Sequence, residues 1–129
     1  MRWVGLAIGA VFVLVAQAAN AESRFERSLK MLAPKERLEQ VCDYTAMKKI
    51  GAARKGLRPD RAVGDAMAKT VINKDSIEAK GAAFRSHGKW YALSYTCTAT
   101  PDHMKVLSFD YRVGPAIPED KWASYGLWQ

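Results

Sequence analysis

The sequence predicts an α+β fold, in which one main helix packs on a four-stranded antiparallel meander and a short helix follows at the C-terminus. Residues 34–51 carry apolar side chains at helical spacing. Four later segments are bounded by residues typical of turns, and the last two alternate clearly between apolar and polar side chains. Each part carries one of the two cysteines, Cys42 in the helix and Cys97 in the third strand. A helix-to-strand disulfide completes the predicted fold.

Residues 1–21 have the features of a secretory signal peptide. Arg2 supplies the positive charge, and the apolar run 3–16 is too short to span a bilayer comfortably. The segment 19–21 has the small-x-small pattern of a cleavage site, so we expect the mature chain to begin at Glu22. An uncleaved anchor is the disfavoured alternative. We therefore expect a periplasmic or secreted protein with no stable membrane span after cleavage.

The mature chain is predicted to be one globular domain, residues 34–129, preceded by a lead segment, residues 22–33. Removing 21 of the 129 residues leaves 108, which suits a single hydrophobic core. Phe25, Leu29 and Leu32 follow the spacing of a short amphipathic helix. We expect this helix to pack on the domain, because three apolar contacts are too few for a membrane-surface helix.

The main helix is predicted to begin at Pro34 and to end at Gly51. Proline suits the first position of a helix, whereas Ala33 before it is a weak cap. Glycine is a common residue just after a helix end. One apolar stripe on this helix contains Leu38, Val41, Cys42, Ala46 and Ile50. Cys42 therefore faces the core.

The four strands are predicted at residues 62–71, 76–85, 89–99 and 104–113. A basic loop, 52–61, precedes them, and turns at 73–75, 86–88 and 100–103 separate them. The first strand is rich in glycine and alanine, so a helix stays open as the alternative there. Gly81 inside the second strand indicates a bulge or a close backbone contact.

Alternation in the last two strands assigns a core face, which carries Tyr91, Leu93, Tyr95, Cys97, Leu107, Phe109, Tyr111 and Val113. Cys97 and Cys42 then point into the same space, 55 positions apart. Two cysteines in an exported protein usually form a disulfide, and we predict one here. A reactive pair is disfavoured because the cysteines lack C-x-x-C spacing.

The distribution of charge along the mature chain argues against a nucleic-acid partner. Without Arg2, 19 basic side chains remain against 13 acidic ones, but they are scattered rather than arranged in a stripe. We favour ordinary solubility as the reason, and leave attraction to an anionic envelope component as the alternative. The most basic stretch is the predicted loop, with Arg54, Lys55, Arg58 and Arg61.

The sequence carries no recognisable catalytic, metal-binding or cofactor-binding motif. His87 and His103 both lie in predicted turns, without further ligands at metal-binding spacing, and we interpret both as surface residues. We predict no catalytic residue, no metal and no cofactor. An enzyme with an unrecognised site is the least supported interpretation.

One face of the sheet is a possible ligand-binding surface, formed by Arg85, His87, Trp90, Asp110 and Arg112. An exposed tryptophan beside basic groups would suit a sugar or an anionic group. We favour the alternative that Trp122 and Trp128 of the C-terminal tail cover Trp90 and form a second small core. The tail begins with a short helix after Pro118.

The chain resembles the domain of unknown function nine-thirty family, a group of exported alphaproteobacterial proteins. The resemblance lies in RLEQVCDYTAM of the helix, GAAFRSHGKWYALSYTCTATPDHMKVLSFDYRVG of the sheet and IPEDKWASYGL of the tail. It implies an envelope setting and supports the cysteine pair. An aspartate usually precedes the helix proline in this family, where this chain has Ala33.

These observations favour a non-enzymatic periplasmic domain that interacts with an unknown envelope protein or has a structural role. The alternative is a soluble binder of an anionic or sugar-like envelope ligand.

Overall fold

The computed structural model describes residues 24–129, so the predicted signal peptide lies outside the described residues. Residues 24–30 are helical. Leu29 is buried in the main core, and Phe25 and Leu32 pack partly against it, as their spacing predicts. No helix in the described part of the chain is both long enough and apolar enough to cross a membrane.

The main helix, α1, runs from Pro34 to Ala53. Its first residue is the predicted proline, and the Ala33 side chain makes no capping bond. The predicted inward stripe is confirmed, because Leu38, Val41, Cys42, Ala46 and Ile50 are all buried. The predicted end at Gly51 is wrong, since the helix continues to Ala53 and the left-handed backbone comes later, at Gly56 with a φ of 87°.

Five antiparallel strands form one sheet: β1 (Pro59–Val63), β2 (Val71–Asn73), β3 (Ser76–Ser86), β4 (Lys89–Ala99) and β5 (Val106–Ala116). β3, β4 and β5 correspond to the last three strands of the predicted four-stranded meander, and α1 packs across one face of the sheet. The α+β class is therefore confirmed. The strand order is β1-β3-β4-β5, and β2 also pairs with β3.

The region 62–71 was predicted as one strand or as a helix, and both alternatives are wrong. β1 begins inside the predicted basic loop and ends at Val63, and a loop of residues 64–70 leads to β2. β1 and β2 pair with different ends of the same edge of β3. Small residues let the loop cross this edge, where the Met67 amide donates to the Gly81 carbonyl oxygen at 2.7 Å.

Gly81 is needed at that crossing. A β-carbon on Gly81 would lie 2.4 Å from the backbone nitrogen of Ala68, closer than two such atoms can approach. The register of β3 against β4 also shifts between Ala79 and Ala82. The predicted bulge and the predicted close contact are therefore both present, and the glycine satisfies both.

β5 begins and ends later than predicted, and Leu107 does not face the core. The register of β4 against β5 shifts between Thr98 and Ala99, so Val106 rather than Leu107 lies opposite Ala99, and Leu107 is 68% exposed. Phe109, Tyr111 and Val113 keep the predicted orientation and pack partly against the main core. The alternation of apolar and polar residues in β5 therefore predicted the core face correctly only after the bulge, from Phe109 onward. An extra residue in one strand changes which residues before the bulge face the core.

The predicted disulfide joins Cys42 of α1 to Cys97 of β4, with their Cα atoms 6.1 Å apart. Both cysteines are fully buried in the core between the helix and the sheet. The bond therefore links the two layers at the centre of the fold.

The opposite face of the sheet carries a second core formed by Ala83, Trp90, Ile117, Trp122 and Leu127. It is closed by α2 (Glu119–Trp122) and the 3-10 helix Ala123–Tyr125. The Trp90 indole N–H donates to the Trp128 carbonyl oxygen at 2.7 Å. The tail thus covers Trp90, as favoured from the sequence.

Candidate binding site

The five residues predicted as a possible ligand-binding surface lie in three separate places. Arg85 donates two hydrogen bonds to the Asp60 carboxylate, at 3.0 and 2.8 Å. These bonds hold the pKa of Asp60 below its ordinary value. The same guanidinium lies 5.9 Å from the ring centres of Trp90 and Trp128. Arg85 is therefore occupied by protein groups.

Trp90 offers no surface for stacking in this structure, because its side chain has 0% exposure. His87 is exposed and belongs to the tight turn between β3 and β4. This residue and Gly88 have φ values of 50° and 74°, as a two-residue hairpin turn with two left-handed positions requires. The predicted turn is confirmed, and His87 is not part of the second core.

Asp110 and Arg112 lie far along the sheet from Trp90. Asp110 is opposite Thr96 and Arg112 is opposite Ser94, whereas Trp90 is opposite Arg85 on the other neighbouring strand. Thr96 is six positions along β4 from Trp90 and Ser94 is four, which corresponds to about 20 Å and about 13 Å along the strand. Asp110 and Arg112 instead line an open depression on the face of the sheet opposite α1, which we call the outer face. Their role in binding a ligand stays a prediction.

The structure forms a different positive surface, which we call the basic groove. It lies where the end of α1, the loop that follows it and the start of β1 meet the His87 turn. Its volume is about 670 Å³. The charged side chains that line it include Lys48, Arg54, Lys55, Arg58 and Asp60. Met47 and Leu57 contribute apolar wall.

The described side chains that line the basic groove carry more positive than negative charge. The sequence has no acidic residue between Asp43 and Asp60 but has five basic ones. Among residues 24–129, no acidic side chain lies within ion-pair distance of the groove cations Lys48, Arg54, Lys55 and Arg58. Asp60 is already bound to Arg85. The predicted basic loop thus becomes part of a concave surface.

A second, smaller pocket of about 220 Å³ lies between α1 and the loop 64–70. Asp43 accepts a hydrogen bond from the Tyr95 hydroxyl at 2.9 Å. Burial raises the pKa of Asp43, and the Tyr95 hydrogen bond lowers it. With the further raising effect of the nearby Glu39 and Asp65, the net result is a pKa of about 7. Burial and the Asp43 charge also raise the pKa of Tyr95 above its ordinary value.

This pocket provides one carboxyl group that could exchange a proton near neutral pH. No histidine, cysteine or lysine lines it, and the described residues contain no set of three side chains placed to hold a metal ion. Sequence reasoning missed this pair. A signal was present, because Asp43 directly follows the core-facing Cys42 and Tyr95 lies on the predicted core face.

His103 was interpreted as a surface turn residue, and this was wrong. Its side chain is buried, with Nδ1 at 2.7 Å from the Pro34 carbonyl oxygen and Nε2 at 2.9 Å from Asp75 Oδ1. It ties the turn before β5 to the start of α1 and to the turn before β3. Both ring nitrogens are occupied by protein acceptors, so the ring is not free to act on a substrate.

The fold and its surfaces define a small α+β domain with one helix-to-strand disulfide and with open grooves. Residues 29–127 match the family model of Domain of Unknown Function (DUF930). The match covers most of the chain, so this protein belongs to that family, and the resemblance seen in its motifs is confirmed. The chain matches no curated protein and no solved structure.

Proposed function

We propose that this chain is an exported, non-enzymatic domain that binds an anionic component of the cell envelope in the basic groove. The observation that carries the proposal is the groove itself. Four cationic side chains surround about 670 Å³ of open space, and in the part of the chain that the structure describes no carboxylate lies within ion-pair distance of any of them. A polyanion would supply the missing negative charge.

The proposal that the protein is exported is supported by the sequence of residues 1–21 and by the disulfide in the core. The positive, apolar and small-residue regions follow the order of a signal peptide. A buried disulfide is typical of proteins that fold in an oxidising compartment. The periplasm fits both features.

The composition of the groove favours phosphate or carboxylate groups over a neutral sugar. Arg54 and Arg58 carry guanidinium groups, whose planar donors match the oxygens of phosphates and carboxylates in pairs. The Lys48 ammonium group lies 5.5 Å from the ring centre of Tyr44, so a cation and an aromatic surface lie side by side at the groove. A phosphorylated glycolipid, such as lipopolysaccharide, presents this chemistry in the envelope.

A structural domain that docks on an envelope protein is the second candidate. The groove is open rather than enclosed, so the acidic surface of another protein could also occupy it. The two candidates differ in their ligand, because only the first predicts direct binding to purified lipopolysaccharide.

The test uses two double variants that change the net charge equally. Arg54→Glu with Lys55→Glu reverses two charges at the groove. Lys30→Glu with Lys74→Glu reverses two exposed charges near the start of α1 and the turn before β3, at the opposite end of the domain. Binding of purified lipopolysaccharide to each mature protein is measured by calorimetry at low and at high salt.

We expect the groove variant to bind on the order of tenfold more weakly than the native protein, since two favourable charge contacts become unfavourable. The control variant should stay close to the native affinity, and salt should weaken native binding. Equal losses in both variants would attribute binding to net charge alone and contradict a groove site. Binding to an acidic protein but not to lipopolysaccharide would favour the second candidate.

A further inference from the structure

The free edge of β5 is a surface that neither the fold nor the basic groove uses. β5 contains 11 residues and lies at the end of the strand order, where it pairs with β4 alone. In the described part of the chain, no other strand covers its second edge. A long free edge presents backbone N–H and C=O groups that can pair with another strand.

We propose that two copies of this chain associate through β5, edge to edge, as a symmetric antiparallel pair centred on Tyr111. This inference does not depend on the proposed anion binding. It would join two five-stranded sheets into one continuous sheet with a two-fold axis.

Strand geometry limits where the axis can lie. Residues directly opposite each other in an antiparallel pair point to the same face of the sheet, and successive residues alternate between faces. A symmetric pair must therefore be centred on one residue, rather than between two. Centring on Asp110 or on Arg112 would place that charged residue opposite its own copy, which is unfavourable.

Centring on Tyr111 places unlike charges together. Asp110 of one copy then lies opposite Arg112 of the other, and the two-fold axis produces this pair twice. Both residues are exposed on the outer face, and neither has an ionic partner among residues 24–129. On the opposite face, the same register places Phe109 against Val113, both of which are partly buried at the border of the main core.

An apolar surface continues from this edge on the helix side. Phe25, Val41, Met104 and Leu107 contribute to a groove of about 540 Å³ beside β5. Leu107 is 68% exposed, which is unusual for a leucine within a strand that borders a core. A second copy at the β5 edge would lie next to this surface and would remove part of it from water.

The test is a charge reversal followed by a charge swap. The mature native protein is studied by sedimentation velocity from micromolar to near-millimolar concentration, where we expect a reversible dimer. Asp110→Arg replaces both attractive pairs with Arg–Arg contacts and should weaken the dimer on the order of tenfold. Asp110→Arg combined with Arg112→Asp restores unlike charges across the axis and should restore association.

Glu78→Arg is the matched control. It makes the same charge change on the same outer face, but on β3, which is not at the free edge. It should leave dimerisation unchanged, and circular dichroism checks that each variant is folded. The proposal is overturned if the native protein stays monomeric at all concentrations, if Asp110→Arg has no effect, or if the charge swap fails to recover the dimer.

Discussion

Replacing Asp43 with asparagine should stabilise this protein at neutral and alkaline pH. The carboxyl group of Asp43 lies in the pocket between α1 and the loop 64–70, where it accepts a hydrogen bond from the Tyr95 hydroxyl. Burial raises its pKa from 3.8 to about 7. Asparagine has almost the same shape and offers an oxygen to the same hydroxyl, but it never carries the negative charge.

The sign and size of the effect follow from the difference in pKa between the folded and unfolded protein. Between pH values near 4 and near 7, the folded protein keeps the proton of Asp43 while the unfolded chain has lost it. The free energy of unfolding therefore falls as pH rises through this interval and is constant above it. A shift of this size corresponds to about 4 kcal/mol at most. We expect Asp43→Asn to recover about 1–3 kcal/mol at pH 8 and nothing at pH 4.

Urea denaturation followed by circular dichroism, repeated from pH 4 to pH 8.5, measures this difference directly. The variant should lose much of the decline in stability that the native protein shows between pH 4 and 7. Glu26→Gln is the control, because it removes an exposed carboxylate that does not line the Asp43 pocket and should not change the decline. An unchanged pH profile in Asp43→Asn, or a variant that is less stable than the native protein at pH 8, would refute the reasoning.

Two further predictions concern the disulfide and the start of α1. Replacing Cys42 and Cys97 by alanine removes the cross-link that closes a loop of 55 positions. The free energy of unfolding measured in urea should fall by about 4 kcal/mol, because the unfolded chain gains conformational entropy. A loss below about 1 kcal/mol would contradict a structural role for the disulfide. Ala33→Asp should raise the same free energy by about 1 kcal/mol, because Ala33 provides no capping bond and aspartate can accept one from the first turn. Ala33→Leu is its control, and an equal gain there would show that capping is not the cause.

The parts of the fold that follow a simple periodicity were predictable from the sequence. The apolar stripe on α1 and the alternation of apolar and polar residues in β4 each extend over several residues. Each residue in such a pattern therefore supports the same assignment of a buried face. Those two patterns were enough to pair Cys42 with Cys97. Burial of Trp90 was also predictable, because the tail supplies other aromatic residues to cover it.

The errors occur where a distant segment decides the structure. The loop 64–70 leaves the sheet because it crosses β3 at Gly81, and this contact joins residues that no local pattern connects. His103 is buried because Asp75 and the carbonyl oxygen of Pro34 reach it from two other elements. The bulge that exposes Leu107 has no residue signature comparable with that of Gly81.

The candidate site was less predictable than the fold for the same reason. Arg54, Lys55 and Arg58 were visible as a basic loop, but a loop alone does not bind a ligand. Their importance comes from the end of α1 and the His87 turn, which convert the loop into a groove. In contrast, Asp110 and Arg112 were predicted to lie near Trp90, and the register of β4 with β5 separates them.

The most direct test of anion binding in the basic groove is to map the contact by nuclear magnetic resonance. A deacylated, phosphate-bearing lipopolysaccharide fragment is titrated into the isotope-labelled mature protein. We predict that the backbone amide signals of residues 54–58 and of His87 shift most, and that high salt suppresses these shifts. Shifts confined to the outer face near Ser94 and Arg112, or no saturable shift at all, would contradict the proposed function.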